Sequence, residues 1–422
     1  MAPLAGRYRP PGDKSVTHRA FLLGGLAEGR TRVESALDSA DTRATLAAMA
    51  ALGAEISRED DVVIIDGGRL RVPDAPLDLG NSGTGMRLLC GALAGCRRLQ
   101  GGTVQLFGDA SLSARPMGRI IEPLERMGAR IDSRAGRSPL TVAPVSLSGQ
   151  RHVLKVASAQ VKSALLLAAL QAEGETVVIE PGLSRDHTER MLPLFGARLH
   201  DACPGIGIAG PQPLVGAECR VPGDLSSAAF ILAAASLVPG SRVDLVQVGL
   251  NPTRDGVLRI LEGMGASIVV GSSEAIAEPV GELVVQSAEL AGIDIAPDMV
   301  PLAIDEFPVV MALAAAADGR TVIRGAAELR VKESDRLAVM SEQLRRLGVV
   351  VDERPDGAVI EGGRIRGGAV DCAGDHRIAM SLAVLGLVAE APIIIDNAEW
   401  IGTSYPGFVD DMRALGAHME WS

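Results

Sequence analysis

Apolar and polar positions along this chain fall into blocks that recur. A Gly- or Ser-rich turn leads into an Ala/Leu-rich stretch of helical pattern, as at Ala20–Leu26 and Ser163–Leu170. A glycine follows, then a β-branched run that predicts a strand, as at Thr176–Glu180 and Thr321–Ile323. A polar loop comes next, then a second helical stretch, as at Asp41–Leu52 and Glu333–Leu347, and short strands such as Val62–Asp66 close the block. Helices and strands therefore alternate, which predicts an α/β fold.

The blocks are copies of one unit. Six glycines, Gly53, Gly128, Gly196, Gly265, Gly348 and Gly416, each follow Leu, Met or Phe at a helix end, at separations of 75, 68, 69, 83 and 68 residues. The unit openings also correspond: Gly12-Asp13-Lys14-Ser15, Gly80-Asn81-Ser82-Gly83, Ala157-Ser158-Ala159-Gln160, Gly223-Asp224-Leu225-Ser226, Asp305-Glu306-Phe307-Pro308 and Gly374-Asp375-His376-Arg377. Six copies in order imply a sixfold repeated supersecondary unit. Shared between two domains, they give three per domain. The first occupies residues 12–221, and Val221–Gly223 is a candidate crossing. Leu4–Arg9 could belong to either half; the division adopted joins 1–11 to 222–422.

Composition narrows the function classes. The chain has 422 residues, 47% hydrophobic but only 2% aromatic, so its core must be built from Ala, Val, Leu and Ile. A net charge of −11 argues against nucleic acid as a partner. Any site for acidic substrates must then be a local gathering of Lys and Arg. The five cysteines show no zinc or redox spacing and read as reduced core thiols of a cytosolic protein. The N-terminus has no signal-like apolar stretch, and no apolar run reaches a membrane-spanning length. Gly205–Gly210 matches a dinucleotide fingerprint literally. Cys203-Pro204 and Pro211-Gln212-Pro213 flank it, so a loop is expected there.

Residues 12–19, Gly-Asp-Lys-Ser-Val-Thr-His-Arg, place a helix N-cap, Asp13, directly before the first helical run. Free N–H groups and a partial positive charge at that helix start, beside Lys14 and Arg19, make an anion site. In the fourth copy, Gly223-Asp224 reads as a plain N-cap. In the fifth, Lys332 and Arg336 are expected to share a helix face with Glu333 beside them.

Taken with Gly-Asn-Ser-Gly-Thr-x-x-Arg at 80–87, Arg115-Pro-Met, Ser158-Ala-Gln160, Arg330-Val-Lys-Glu-Ser-Asp-Arg336 and Asp375-His-Arg377, this motif set resembles the enolpyruvyl transferases over nearly the whole chain. Within that family it is similar to the branch that acts on shikimate 3-phosphate. The resemblance implies two similar domains, each of three βαβαββ repeats (an inside-out α/β barrel), joined by a double crossover. It implies transfer of the enolpyruvyl group of phosphoenolpyruvate to the 5-hydroxyl of shikimate 3-phosphate, with release of phosphate. Both substrates carry a carboxylate and a phosphate, so a set of Arg and Lys is required to hold them.

By resemblance, Lys14, Asn81, Gly83, Arg115, Gln160, Arg336 and Arg377 hold phosphoenolpyruvate. Lys14, Ser15, Arg19, Ser158, Gln160, Arg185, Asp305 and Lys332 hold shikimate 3-phosphate. Asp305 serves the hydroxyl, Glu333 the methylene carbon, and Lys14 is a third candidate for proton transfer. No metal or cofactor is expected, nor a nucleic-acid or membrane partner; the protein is expected to be a cytoplasmic monomer. The family's herbicide glyphosate is expected to compete with phosphoenolpyruvate.

The sequence departs from the best-known members at Leu88, at 184–189, at Glu328, and at 403–406, which lacks a lysine. These features resemble a divergent bacterial branch. Two other readings stand beside this one. An enolpyruvyl transferase acting on UDP-N-acetylglucosamine typically has Lys-Asn in place of Lys14-Ser15 and a loop cysteine near Arg115; residues 109–117 hold none. A non-catalytic anion-binding protein would have no use for Asp305 and Glu333 together.

Overall fold

The computed structural model describes residues 2–275 and 277–421, without the side chains of 272–275. Its backbone divides into two compact units, Gly12–Val221 and Met1–Pro11 with Pro222–Ser422. The chain passes between them twice, at 11/12 and 221/222.

In the first unit the helix–strand–helix–hairpin order appears three times. Lys14–Leu26, Gly83–Ala94 and Ala159–Ala169 are the opening helices. Each is followed by a strand, Gly29–Glu34, Val104–Phe107 or Gly174–Ile179. That strand pairs with a parallel neighbour on one side and an antiparallel hairpin on the other. The second unit opens its copies with Leu225–Leu237, Phe307–Ala316 and His376–Gly386. Its sheets contain four, three and two strands. Among the described residues the sixth copy stops at the helix Phe408–Ala414, without the closing hairpin that the repeat pattern leads one to expect.

The opening helices are buried on nearly every face. In Leu225–Leu237 all but one residue is buried, and in Phe307–Ala316 all but Ala316. A helix apolar all round belongs in a core, and small side chains let such helices approach closely. At Gly91 a Cβ would lie 2.2 Å from the carbonyl oxygen of Ala164, so the helices at 83–94 and 159–169 meet backbone to backbone. This is the structural counterpart of a core rich in alanine and poor in aromatics. No single described helix is long and apolar enough to cross a membrane; Pro297–Ala303 and Phe307–Ala316, bent by 120°, pass only as a pair.

Several local expectations are corrected. The helix expected over Glu333–Leu347 begins at Arg336. Asp335 caps it by accepting from the Ala338 N–H at 3.0 Å, and this leaves Lys332 and Glu333 on the preceding loop rather than on a helix face. Gly205–Gly210 is not a loop, since Ile206–Gly210 is a strand paired antiparallel to Gly174–Ile179. Cys203 is exposed, whereas the other four thiols are buried as expected.

Candidate active site

In the first unit, three helix starts are stitched together by side chains. Asp13 caps its helix, accepting from Val16 N–H at 2.9 Å. Lys14 then extends to Asp41 at 2.9 Å, a partner with no signal in the sequence. His18, one turn on, meets Thr45 Oγ1 at 2.8 Å. Burial first, then Lys14 and Arg19, pushes the His18 imidazole well below its usual range, so it stays neutral. Arg19 is buried and donates to Thr188 Oγ1 (2.7 Å), to Ser163 Oγ (2.8 Å) and to the carbonyl of Ser15 (2.9 Å). It therefore ties the first helix to the one that begins after Ser158.

The second helix start joins the same group. Asn81 donates to Asp109 at 2.8 Å and accepts from Arg115 at 2.5 Å. Ser82, rather than Asn81, caps the helix. Gly83 is its first residue, and a Cβ there would sit 3.0 Å from the Arg115 guanidinium and 3.1 Å from that of Arg87. Arg87 donates to Gln160 at 2.5 Å, and Gln160 donates to Thr84 at 2.9 Å. Asn81, Gly83, Arg115 and Gln160 are thus brought together, and so are Arg19 and Ser15. Arg185 is half-buried on the loop before the helix His187–Met191. Arg87 belongs to a quoted motif, yet no role was expected for it.

In the second unit, Glu333 and Asp305 meet at the Arg336 guanidinium, and the other two expected residues, Lys332 and Arg377, join them through Asp305. Arg336 is only 1% exposed. It donates to Glu333 at 2.6 Å, to Asp305 at 3.3 Å and to Asp375 at 2.8 and 3.4 Å. Lys332 lies 3.3 Å from the same oxygen of Asp305. Arg377 donates to the Asp305 carbonyl at 3.1 Å and sits 3.9 Å from Glu306. Burial alone would weaken the charge on Arg336; Asp375, Glu333 and Asp305 outweigh it and hold the group firmly protonated. For Asp375 burial works upward, but Arg336 prevails and its carboxyl lies below the usual range.

Asp375 is the residue that motif reading undervalued. Fully buried, it also accepts from Ser334 Oγ at 3.0 Å and caps its own helix through the Arg377 N–H at 3.0 Å. One carboxylate therefore holds the Arg336 guanidinium and fixes the helix start that carries Arg377. Two further carboxylates, Glu333 and Asp305, share Arg336. Such an arrangement can hold an anion and supply proton acceptors beside it. Among the described residues no group of His, Cys, Asp or Glu is arranged to hold a metal ion.

Comparison with known proteins bears on the whole chain. The family model for EPSP synthase (3-phosphoshikimate 1-carboxyvinyltransferase) matches residues 1–412. A 3-phosphoshikimate 1-carboxyvinyltransferase of Acidithiobacillus ferrooxidans is 51% identical, over 99% of this chain and 96% of its own length. One from Halorhodospira halophila is 52% identical, over 99% and 95%. A solved structure of EPSP synthase from Acinetobacter baumannii superimposes with a TM-score of 0.88 at 43% identity, covering 99% of this chain and 97% of that one. By motifs, full-length similarity and fold, the chain belongs to the EPSP synthase (3-phosphoshikimate 1-carboxyvinyltransferase) family.

Proposed function

We propose that the protein performs the reaction of its family. It transfers the enolpyruvyl group of phosphoenolpyruvate to the 5-hydroxyl of shikimate 3-phosphate, a step of the shikimate pathway, and releases phosphate. The observation that carries the chemistry is the pair of carboxylates, Glu333 and Asp305, held on the single guanidinium of Arg336.

In this reading Arg336, Arg377, Arg115, Asn81 and Gly83 receive phosphoenolpyruvate. Lys14 touches both substrates. Ser15 and Arg19 receive the shikimate carboxylate, and Ser158, Gln160 and Arg185 its phosphate, with Lys332 and Asp305 beside the hydroxyl. An anion that takes Arg336 competes with Glu333 for it, and a carboxylate released from an arginine is a better proton acceptor.

Asp305 takes the hydroxyl proton as the oxygen attacks the central carbon of phosphoenolpyruvate. Glu333, protonated from solvent once the bound anion has taken its place on Arg336, delivers that proton to the methylene carbon, giving a tetrahedral adduct, and takes one back as the C–O bond to phosphate breaks. The hydroxyl proton leaves with phosphate, so atoms and charge balance. The two units are read as three βαβαββ repeats each, inside-out α/β barrels joined by a double crossover, in a cytoplasmic monomer. Three sheets in each unit and the two chain passages support the repeat and crossover part of that reading.

The test is phosphate release from phosphoenolpyruvate with shikimate 3-phosphate or UDP-N-acetylglucosamine as acceptor. Release with the first alone is expected; release only with the second would overturn the assignment.

A further inference from the structure

A buried ionic cluster in the first unit has no part in the chemistry above. Lys162 lies two residues beyond Gln160, one helical turn from Ser158, with its side chain 7% exposed. Its ammonium sits 2.7 Å from Glu180 and 2.8 Å from Glu189. Glu180 uses its two oxygens on different segments. One accepts the main-chain N–H of Ser158 at 3.0 Å; the other accepts the hydroxyl of Ser184 at 2.8 Å, beside Lys162. Ser184 immediately precedes Arg185.

We propose that Lys162 and Glu180 are positioning residues for the acceptor's phosphate. They act as a strap that fixes the Ser158 turn and the Arg185 loop at the spacing the phosphate needs. This rests on the functional reading given above.

The geometry distinguishes a strap from simple glue. Ser158 does not cap its helix with its own side chain, in contrast to Asp13, Ser82 and Asp375. Its N–H is held by Glu180 instead, which leaves its hydroxyl available to a ligand. Carboxylates so near a phosphate site would repel the ligand, and the Lys162 ammonium between Glu180 and Glu189 offsets one of their two charges. Burial works against the charge on Lys162, but Glu189 and Glu180 outweigh it and keep its ammonium above the usual range. A buried ion pair adds little net stability, and fixing one arrangement of the segments it joins is a use attested in other proteins.

The experiment combines steady-state kinetics with calorimetric binding of shikimate 3-phosphate to the full chain. It compares wild type with Lys162→Met, Lys162→Arg and Glu180→Gln. Glu28→Gln, in an exposed pair with Arg98, serves as the remote control. Outer-layer partners of a binding group typically matter about 10- to 100-fold, and a loss of that size is expected in both KM and Kd for shikimate 3-phosphate with Lys162→Met and Glu180→Gln. KM for phosphoenolpyruvate and kcat should stay within about threefold. Lys162→Arg should recover most of the loss, because it keeps the charge.

Equal losses for both substrates, or an arginine variant no better than methionine, would overturn the proposal. Should Lys162→Met fail to fold, Glu180→Gln and Lys162→Arg carry the test. A wild type that does not bind shikimate 3-phosphate removes the functional reading and this proposal together. A wild type that binds it, with variants that bind equally well, removes only the proposal.

Discussion

Replacing Asp375 by asparagine isolates the ion pair at the centre of the second unit. The change keeps the size of the side chain and its ability to cap the helix His376–Gly386. It removes one charge from a contact in which both partners are almost completely buried, at 2.8 and 3.4 Å. Breaking a buried pair by removing one partner costs roughly 3–5 kcal/mol. Arg336 keeps Glu333 at 2.6 Å and Asp305 at 3.3 Å, so the expected loss falls at or just below the bottom of that range, about 2–3 kcal/mol. For a unit of this size that is a fall in Tm of about 4–12 °C. Asp375→Ala should cost about 1 kcal/mol more, because it also deletes the cap.

The pH dependence has a definite sign. The folded carboxyl lies below the usual value of 3.8, so its contribution is fully present above pH 3.8 and is lost as pH falls through the depressed folded value. Wild type should therefore lose stability more steeply than Asp375→Asn below about pH 4. Chemical denaturation at pH 7 and at a series of pH values from 5 downward measures both effects. If Asp375→Asn lies within about 0.5 kcal/mol of wild type at pH 7, or the two acid profiles run parallel, the pairing does not hold Arg336 as described. In kinetics the same variant should raise KM for phosphoenolpyruvate by about tenfold or more, since a loosened guanidinium loses its aim.

Two further outcomes follow from the site. Glu333→Gln and Asp305→Ala should each lower kcat by roughly 10²- to 10⁴-fold with a smaller change in substrate binding; full activity in both, measured by phosphate release, would remove their proton-transfer roles. Glyphosate should compete with phosphoenolpyruvate, and Gly83→Ala should raise its inhibition constant by about tenfold, more than it raises KM for the substrate. A methyl group there meets the ends of Arg115 and Arg87 at 3.0 and 3.1 Å, and the longer anion has less room to follow the displaced arginine; equal inhibition constants for variant and wild type would show that Gly83 does not face the inhibitor.

Much of the site was legible because each motif is local. Gly12–Arg19 and Asp375–Arg377 announce capped helix starts beside cations, and the structure places such caps there. The Arg330–Arg336 segment was expected to set Lys332 and Arg336 on one helix face, and the helix begins only at Arg336. Glu333 reaches Arg336 from a loop, because Asp335 ends the alternative helical path by capping. Asp41, Glu180 and Lys162 were not legible at all. Each is an ordinary charged residue whose role comes from a partner 18 or more residues away, and no spacing rule records such a partner.

The repeat period, the α/β alternation and the small-residue core are written in the chain itself, because helix and strand patterns depend on neighbours a few residues apart. The placement of Leu4–Arg9 was not. That stretch is a strand in form whichever half receives it. Ala5–Tyr8 pairs in parallel with Arg242–Leu245, more than two hundred residues on, and Tyr8 meets Tyr405 at 2.6 Å and Asp411 at 2.5 Å. Burial and Asp411 push the Tyr8 hydroxyl far above its usual range, so it stays a donor to that carboxylate. A strand's own residues specify its extended shape, but its partner is whichever exposed edge the rest of the fold has left open. That edge exists only once distant segments have met.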